Sequence, residues 1–195
     1  MGKEQNNNYY DEIYKRGGSR KLYFQPAENI KSYYPTWKYA YEYLIDNNIK
    51  NVCDLGCGPG HFSSLFSKTD DIIYTGYDFS EVAIKQAKDR NKNNSNITFK
   101  TQNLIEVDLP KSDTFYTSFE FFEHISFDLE IIKKINKGNQ ILFSVPSYDD
   151  PGHVRHFKSY SEIEERYSHL LELNLIHEVP TNKSNKIYLC HGIRK

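Results

Sequence analysis

The residues best placed by type and spacing to do chemistry fall in three runs. The first is Asp54-Leu55-Gly56-Cys57-Gly58-Pro59-Gly60. Its alternating glycines let the main chain turn sharply and let a ligand lie against it with no Cβ in the way. A G-x-G-x-x-G pyrophosphate pattern counted from Gly56 needs glycine at position 61, where the chain has His61, and no G-x-x-x-x-G-K-[ST] loop occurs. The loop thus suits a ligand without a phosphate chain. Asp78, followed by Phe79, lies about 20 residues further on, where α/β folds place a carboxylate that accepts from ribose hydroxyls.

The second run, Phe119-Glu120-Phe121-Phe122-Glu123-His124, ends an apolar stretch with two carboxylates and an imidazole. The third spans Tyr148 to Phe157 and gathers Asp149, Asp150, His153, Arg155 and His156. Imidazoles titrate near neutrality, so His153, His156 and His124 are candidate general bases, and Arg155 offers paired hydrogen bonds to a carboxylate or phosphate. Asp149, Asp150, His153 and His156 are also metal-ligand types, yet nothing fixes their geometry and no metal site is expected. Cys53 and Cys57 complete no zinc set, and three cysteines read as free thiols.

The elements that must position these runs alternate in type. Asn51-Val52-Cys53-Asp54-Leu55 reads as a strand, the glycines as its turn, and residues 61–68 as a helix. Residues 71–78 form a second strand, Ser80 an N-cap, and residues 81–90 a helix with Val82, Ala83, Gln86 and Ala87 on one side. A third strand lies in 96–104, a fourth in 113–121, a helix in 128–136 and a fifth strand in 139–146. Ser161 and Glu164 suggest a capping box for a short helix, and two closing strands flank the loop 180–185. Such repetition predicts an α/β fold, a doubly wound, seven-stranded and mostly parallel sheet with helices on both faces and ligands at the carboxyl ends of its strands.

Ahead of it, residues 1–48 are dense in aromatics and read as a helical cap or lid, with residues 49–195 as the core domain. Pro35 suits a first helical position, and Trp37, Ala40, Tyr41, Leu44 and Ile45 follow at helical spacing. Tyr23, Tyr33 and Tyr34 are expected over the ligand cleft, with Tyr148 beside the acceptor, while Trp37 and Tyr41 are expected to pack as helix residues on the sheet.

In order and spacing, the loop DLGCGPG, the carboxylate of Asp78 and the FEFFEH run resemble the class I, Rossmann-like S-adenosylmethionine (SAM) dependent methyltransferases, in particular their ubiquinone-type small-molecule branch. The resemblance covers residues 50–150 most closely. It implies a cofactor site formed by Asp54, Gly56, Cys57, Gly58 and Gly60, by Asp78 and Phe79 at the ribose, by Asn103 and Leu104 at adenine, and by Phe119 and Glu120. Asn103 stands where many members have Asp. The acceptor is expected to be a small metabolite methylated on O or N. The HVRHF run also resembles short methyltransferases of bacterial surface-polysaccharide pathways, which with Arg155 suggests an anionic sugar-, nucleotide-linked or phosphoryl-type acceptor.

Composition narrows the alternatives. The chain has 195 residues, a net charge of −1 and 28 Tyr and Phe residues, enough for one well-filled domain and no global field for nucleic acid. The fourth strand also lacks the D/N-P-P-Y/F/W run that cradles an exocyclic amine. Neither a membrane span nor a signal peptide is read, so a cytoplasmic protein, monomeric or homodimeric, is expected. A nucleic-acid methyltransferase and a non-catalytic SAM-binding protein are the rival readings.

Overall fold

The computed structural model describes residues 2–68, 71–110, 113–181 and 184–195. Its strands are β1 (Asn51–Leu55), β2 (Ile73–Asp78), β3 (Ile97–Thr101), β4 (Phe115–Phe119), β5 (Gln140–Pro146), β6 (Leu171–Pro180) and β7 (Lys186–Arg194). They form one sheet in the order β3-β2-β1-β4-β5-β7-β6. Strands β1 to β5 are mutually parallel, and β7 runs antiparallel to both β5 and β6. The strand order reverses between β1 and β4, so the crevice beyond their carboxyl ends is where an open α/β sheet receives a ligand.

Alternate residues of the central strands fill two different cores, because a parallel sheet is buried on both faces. Cys53, Leu55, Tyr116, Ile141, Phe143 and Val145 pack on one face with Ile131 and Ile132 of α4 (Asp128–Lys134) and Ile163 and Tyr167 of α5 (Tyr160–Tyr167). Val52, Phe115, Phe119 and Leu142 pack on the other with Ala40 and Leu44 of α2 (Tyr34–Asp46) and Ile84 and Ala87 of α3 (Glu81–Arg90). Trp37 and Tyr41 pack against this second core, whereas Ile45, expected on the same stripe, is exposed.

Local signals explain most boundaries. The hydroxyl of Ser80 accepts from the Ala83 N–H at 3.0 Å and starts α3. Residues 63–68 form a 3-10 helix in place of the expected α-helix. Helix α5 is capped by Ser159, which accepts from Glu162 N, and not by Ser161: the chain becomes helical at Tyr160, so Ser161 lies within the first turn. Helix α1 (Asn7–Arg16) lies in the segment expected to be a helical cap, with bounds the sequence reading did not give; Asn6 caps its start and Gly17, at φ 80°, its end. Of the loop between β6 and β7, residues 182 and 183 lie outside the described residues.

Two buried carboxylates tie the layers together. Asp54 accepts from the hydroxyl of Tyr74 on β2 and, at 2.8 Å, from that of Thr117 on β4. It thereby joins the three strands beneath the glycine loop. Asp128, fully buried, accepts two hydrogen bonds from Arg166 at 2.8 and 2.7 Å and one from the Tyr167 hydroxyl at 2.7 Å, and pairs with Arg155 at 3.2 Å.

Two stability predictions follow from these groups. Asp128→Ala strands two guanidinium groups and is expected to cost about 3 kcal/mol in urea unfolding. Burial raises the Asp54 carboxyl to about 6, against hydrogen bonds from Tyr74 and Thr117 that favour the anion. A carboxyl raised on folding contributes stability that is complete below its unfolded value and lost as pH rises through its folded one. Measured against Asp54→Asn, the ligand-free protein should therefore lose about 3 kcal/mol between about pH 4 and pH 7.5. A flat difference across that range would mean that Asp54 is ionised in the fold.

Candidate active site

The glycine loop is shaped by its own backbone and by Asp78. Gly56, Gly58 and Gly60 have φ of 74°, 51° and 73°, the left-handed region that side chains disfavour. A Cβ at Gly56 would strike the Phe121 ring at 2.4 Å, and one at Gly60 would strike Ala87 of α3 at 2.9 Å. Gly60 therefore serves close loop–helix packing and does not line the cavity, while Gly58 faces open space bounded by the Tyr14 hydroxyl at 3.4 Å. The Asp78 carboxylate accepts from the N–H of Gly58 at 3.0 Å and of Ser80 at 2.9 Å. Burial raises its carboxyl to about 6, against these two hydrogen bonds.

Above the loop lies the N-terminal segment. Ser80 donates through its hydroxyl to Asp11 of α1, and Gln86 donates to the Tyr14 carbonyl at 3.0 Å. Arg90 donates to the carbonyls of Pro59 and Tyr23 at 3.0 and 2.7 Å, holding the segment after α1 against the loop. At the far end, Ser126 donates to the Glu4 carboxylate and Gly2 N–H to the His153 carbonyl. Between segment and sheet is a cavity of about 830 Å³. It reaches from Gly56, Asp78, Phe79, Asn103 and Leu104 to Tyr10, Tyr23, Tyr33 and Tyr148. A smaller recess of about 100 Å³ adjoins Asp54, Cys57, Gly58, Phe119, Trp37 and His61. Asn103 accepts through Oδ1 from Ile105 N at 3.2 Å and donates to Glu106 at 3.1 Å.

Glu120, Glu123, His124 and His153 line the same cavity as Asp78. Glu120 has φ 49°, a strained conformation for a non-glycine residue, and exchanges hydrogen bonds with Ser144: its N–H donates to Oγ at 3.0 Å, and Oγ donates to Oε1 at 2.9 Å. The His124 and His153 rings stand edge to face with centroids 4.8 Å apart. His124 Nδ1 lies 3.2 Å from the Gly152 carbonyl, and His153 Nδ1 lies 3.1 Å from that of Tyr148. Burial lowers the pKa of both imidazoles, that of His124 to about 4, so both are neutral at pH 7. Burial raises the carboxyls of Glu120 and Glu123, and the charge of Glu120 raises Glu123 further. The Tyr23 phenol is likewise pushed up to about 12 and stays protonated.

Several expected site residues lie elsewhere. Arg155 donates to the main-chain carbonyls of Phe122 and Ile125 and pairs with Asp128, so its guanidinium is spent inside the protein and does not reach the cavity. His156 is also absent from the wall; its Nδ1 lies 4.0 Å from Asp149. Tyr34 is half-buried outside the cavity at the start of α2, whereas Tyr33, just before the helix, lines it as expected. Asp149, Asp150, His153 and His156 do not converge; among the described residues, the group whose ligand atoms do is Glu123, His124 and His153. Sequence reasoning missed Tyr10 and Tyr14, which α1 presents at helical spacing; Asn6, Gly17 and Gly18 were the signals for that helix.

Comparison with known proteins places this geometry. Residues 46–183 match a family model described as a methyltransferase domain. No curated protein matches the chain. Among solved structures, DhpI in complex with S-adenosylhomocysteine (SAH) shares 17% identity at a TM-score of 0.66, over 94% of this chain and 93% of its own. Magnesium protoporphyrin IX methyltransferase from Synechocystis PCC 6803 with bound SAH shares 14% at 0.65, over 84% of each chain. The N-terminal domain of EvdMO1, crystallised in the presence of SAH and D-fucose, shares 12% at 0.62, over 82% and 83%. The loop fits such a cofactor on its own evidence, since Gly58 leaves open the space that a Cβ would narrow and Asp78 borders the cavity. The matched family spans most of the sheet and the whole of the glycine loop, and the chain belongs to it: a methyltransferase domain of the class I, SAM-dependent kind.

Proposed function

We propose that the protein methylates an oxygen of a small hydroxylated acceptor, a sugar-type molecule in first place. The observation that carries this reading is one continuous cavity lined both by Gly56 and Asp78 and by Glu120, Glu123, His124 and His153. When bound, SAM supplies an electrophilic methyl group on a sulfonium. Asp78 would hold the ribose through the lone pairs left free by Gly58 and Ser80, Phe79, Asn103 and Leu104 would border the adenine, and Gly56, Cys57 and Gly58 would lie along the amino-acid end.

An alcohol, unlike a neutral amine, must lose a proton to become a good nucleophile, and aligning it with the methyl supplies much of the remaining acceleration. Glu120, Glu123, His124 and His153 are the groups able to manage that proton. Tyr10 adds a buried hydroxyl with no hydrogen-bond partner, a donor free for the acceptor, and Tyr23, Tyr33 and Tyr148 supply apolar faces with polar tips. Residues 2–33 act as a lid that keeps water from this space. The support for an anionic acceptor falls away with Arg155: the cavity presents Glu4, Asp78, Glu120, Glu123 and Asp150 against Arg16. A wall with more carboxyl groups than cations suits a sulfonium and a neutral acceptor. D-fucose in the EvdMO1 crystals is a sugar of that kind.

The direct test is SAH release from SAM with a panel of monosaccharides, phenols and short oligonucleotides. Turnover on hydroxylated small molecules is expected; turnover on oligonucleotides alone, or tight SAM binding with no turnover on any of them, would overturn the reading. Asp78→Ala should weaken SAM binding at least tenfold, about 1.4 kcal/mol, in calorimetric titration. His153→Ala should leave SAM affinity within about twofold and lower kcat by about 10²-fold; equal losses in both would place His153 in cofactor binding.

A further inference from the structure

Resting on the reading that Asn103 and Leu104 border the adenine, we propose that Lys134 is the positioning residue that makes the cofactor site selective for that base. Its ammonium group clamps the loop after β3 and, through two peptide units, fixes the side chain of Asn103.

The loop has little regular structure to hold it. It leaves β3 after Thr101 and enters β4 at Phe115, and among its described residues no helix or strand intervenes. Its first residues, Gln102, Asn103 and Leu104, line the cavity. The Gln102 N–H donates to the Asp78 carbonyl at 2.9 Å, which ties the start of the loop to the end of β2. Leu104 and Leu109 are buried in the same core as Ile131 and Ile132 of α4. Such packing sets the depth of the loop but is non-directional, so it does not fix how each peptide is turned.

Lys134 supplies the direction. It is the last residue of α4, half-buried, and its Nζ donates to the carbonyls of Leu104, Ile105 and Val107 at 2.9, 2.6 and 2.9 Å. A protonated lysine carries three N–H donors and no acceptor, so these three carbonyls use it completely. Bonds from an ionised donor are shorter and stronger than neutral ones.

Two of the clamped carbonyls lead directly to Asn103. A peptide group is planar and trans, so the C=O of one residue and the N–H of the next point opposite ways from one rigid unit. In the first unit the Leu104 carbonyl meets Lys134 while the Ile105 N–H donates to Asn103 Oδ1 at 3.2 Å. In the second the Ile105 carbonyl meets Lys134 while the Glu106 N–H donates to the Asn103 carbonyl at 3.0 Å. Lys134 and Asn103 thus grip the same two peptide units from opposite sides. Lys134 does not itself line the cavity, so its effect on the base passes through the loop.

The test measures by calorimetry the Kd of SAH and of S-inosylhomocysteine, in which an oxygen replaces the exocyclic amino group of the base. The unaltered protein should prefer SAH by about tenfold or more, because a site built to hydrogen-bond a group rejects the analogue that lacks it. Lys134→Met keeps the apolar stem and removes the donors; it should weaken SAH about tenfold and bring the two ligands within about threefold of each other. Lys134→Arg, which still donates to carbonyls, should restore most of the preference. General destabilisation weakens both ligands by the same factor, so an unchanged ratio in Lys134→Met overturns the proposal, as does an unchanged SAH affinity. Should thermal unfolding show that Lys134→Met is not folded, Lys134→Gln takes its place; a reduced preference is expected there, and an undiminished one overturns the proposal. Asp78→Ala, measured alongside, separates the two levels. If it weakens SAH while Lys134→Met does not, the cofactor site stands and the role of Lys134 falls. If neither variant weakens SAH, the reading of the cofactor end falls with it.

Discussion

Two main-chain N–H groups, from Gly58 and Ser80, converge on the carboxylate of Asp78. Through this contact the loop after β1 and the start of α3 share one anchor at the end of β2. Remove it and neither the left-handed backbone at Gly58 nor the angle at which α3 leaves the sheet has a local reason to persist. The rest of the ligand end is built outward from that point. Ser80, fixed as the cap of α3, donates to Asp11 and so sets the position of α1; α1 sets Tyr14 over Gly58 and Tyr10 against Phe79 and His124.

The interior sorts its carboxylates into two kinds. Asp54, Asp78 and Asp128 are enclosed by donors that the fold itself supplies, and each does mechanical work: joining strands, shaping a loop, docking helices. Glu123 is buried with no hydrogen-bond partner for either carboxylate oxygen. Burial and the charge of Glu120 push the Glu123 carboxyl well above the usual carboxylate range, so its burial is met by protonation and not by donors.

Much of the fold was legible in the sequence because its signals are local. Glycines at strand ends, Ser80 ahead of a helix and short apolar runs separated by polar turns fix element type without reference to the rest of the chain. The cofactor end of the site was legible for the same reason: Gly56, Gly58 and Asp78 act through the backbone they sit on. The acceptor end was not. Arg155 and His156 lie within three residues of His153, yet their side chains are claimed by Asp128, by carbonyls at 122 and 125, and by Asp149, all chosen by tertiary packing. Nor does spacing reveal that residues 123 and 153 would meet, since that depends on the Val154 N–H bonding the Glu123 carbonyl across two loops. Helix α1 escaped notice because its apolar side chains, Tyr9, Tyr10, Ile13 and Tyr14, line a cavity and do not face a core.

That helix has a further consequence. None of its ten residues is buried, and it joins the sheet by polar contacts and ring edges at the very start of the chain. Core packing therefore places little constraint on its sequence, while nearly half of the cavity wall is written in it and the residues next to it. Substitutions there can redraw the acceptor space without disturbing the sheet, the glycine loop or Asp78. The architecture thus separates the sheet and glycine loop, held by core packing, from a polar-docked N-terminal segment that shapes much of the acceptor space.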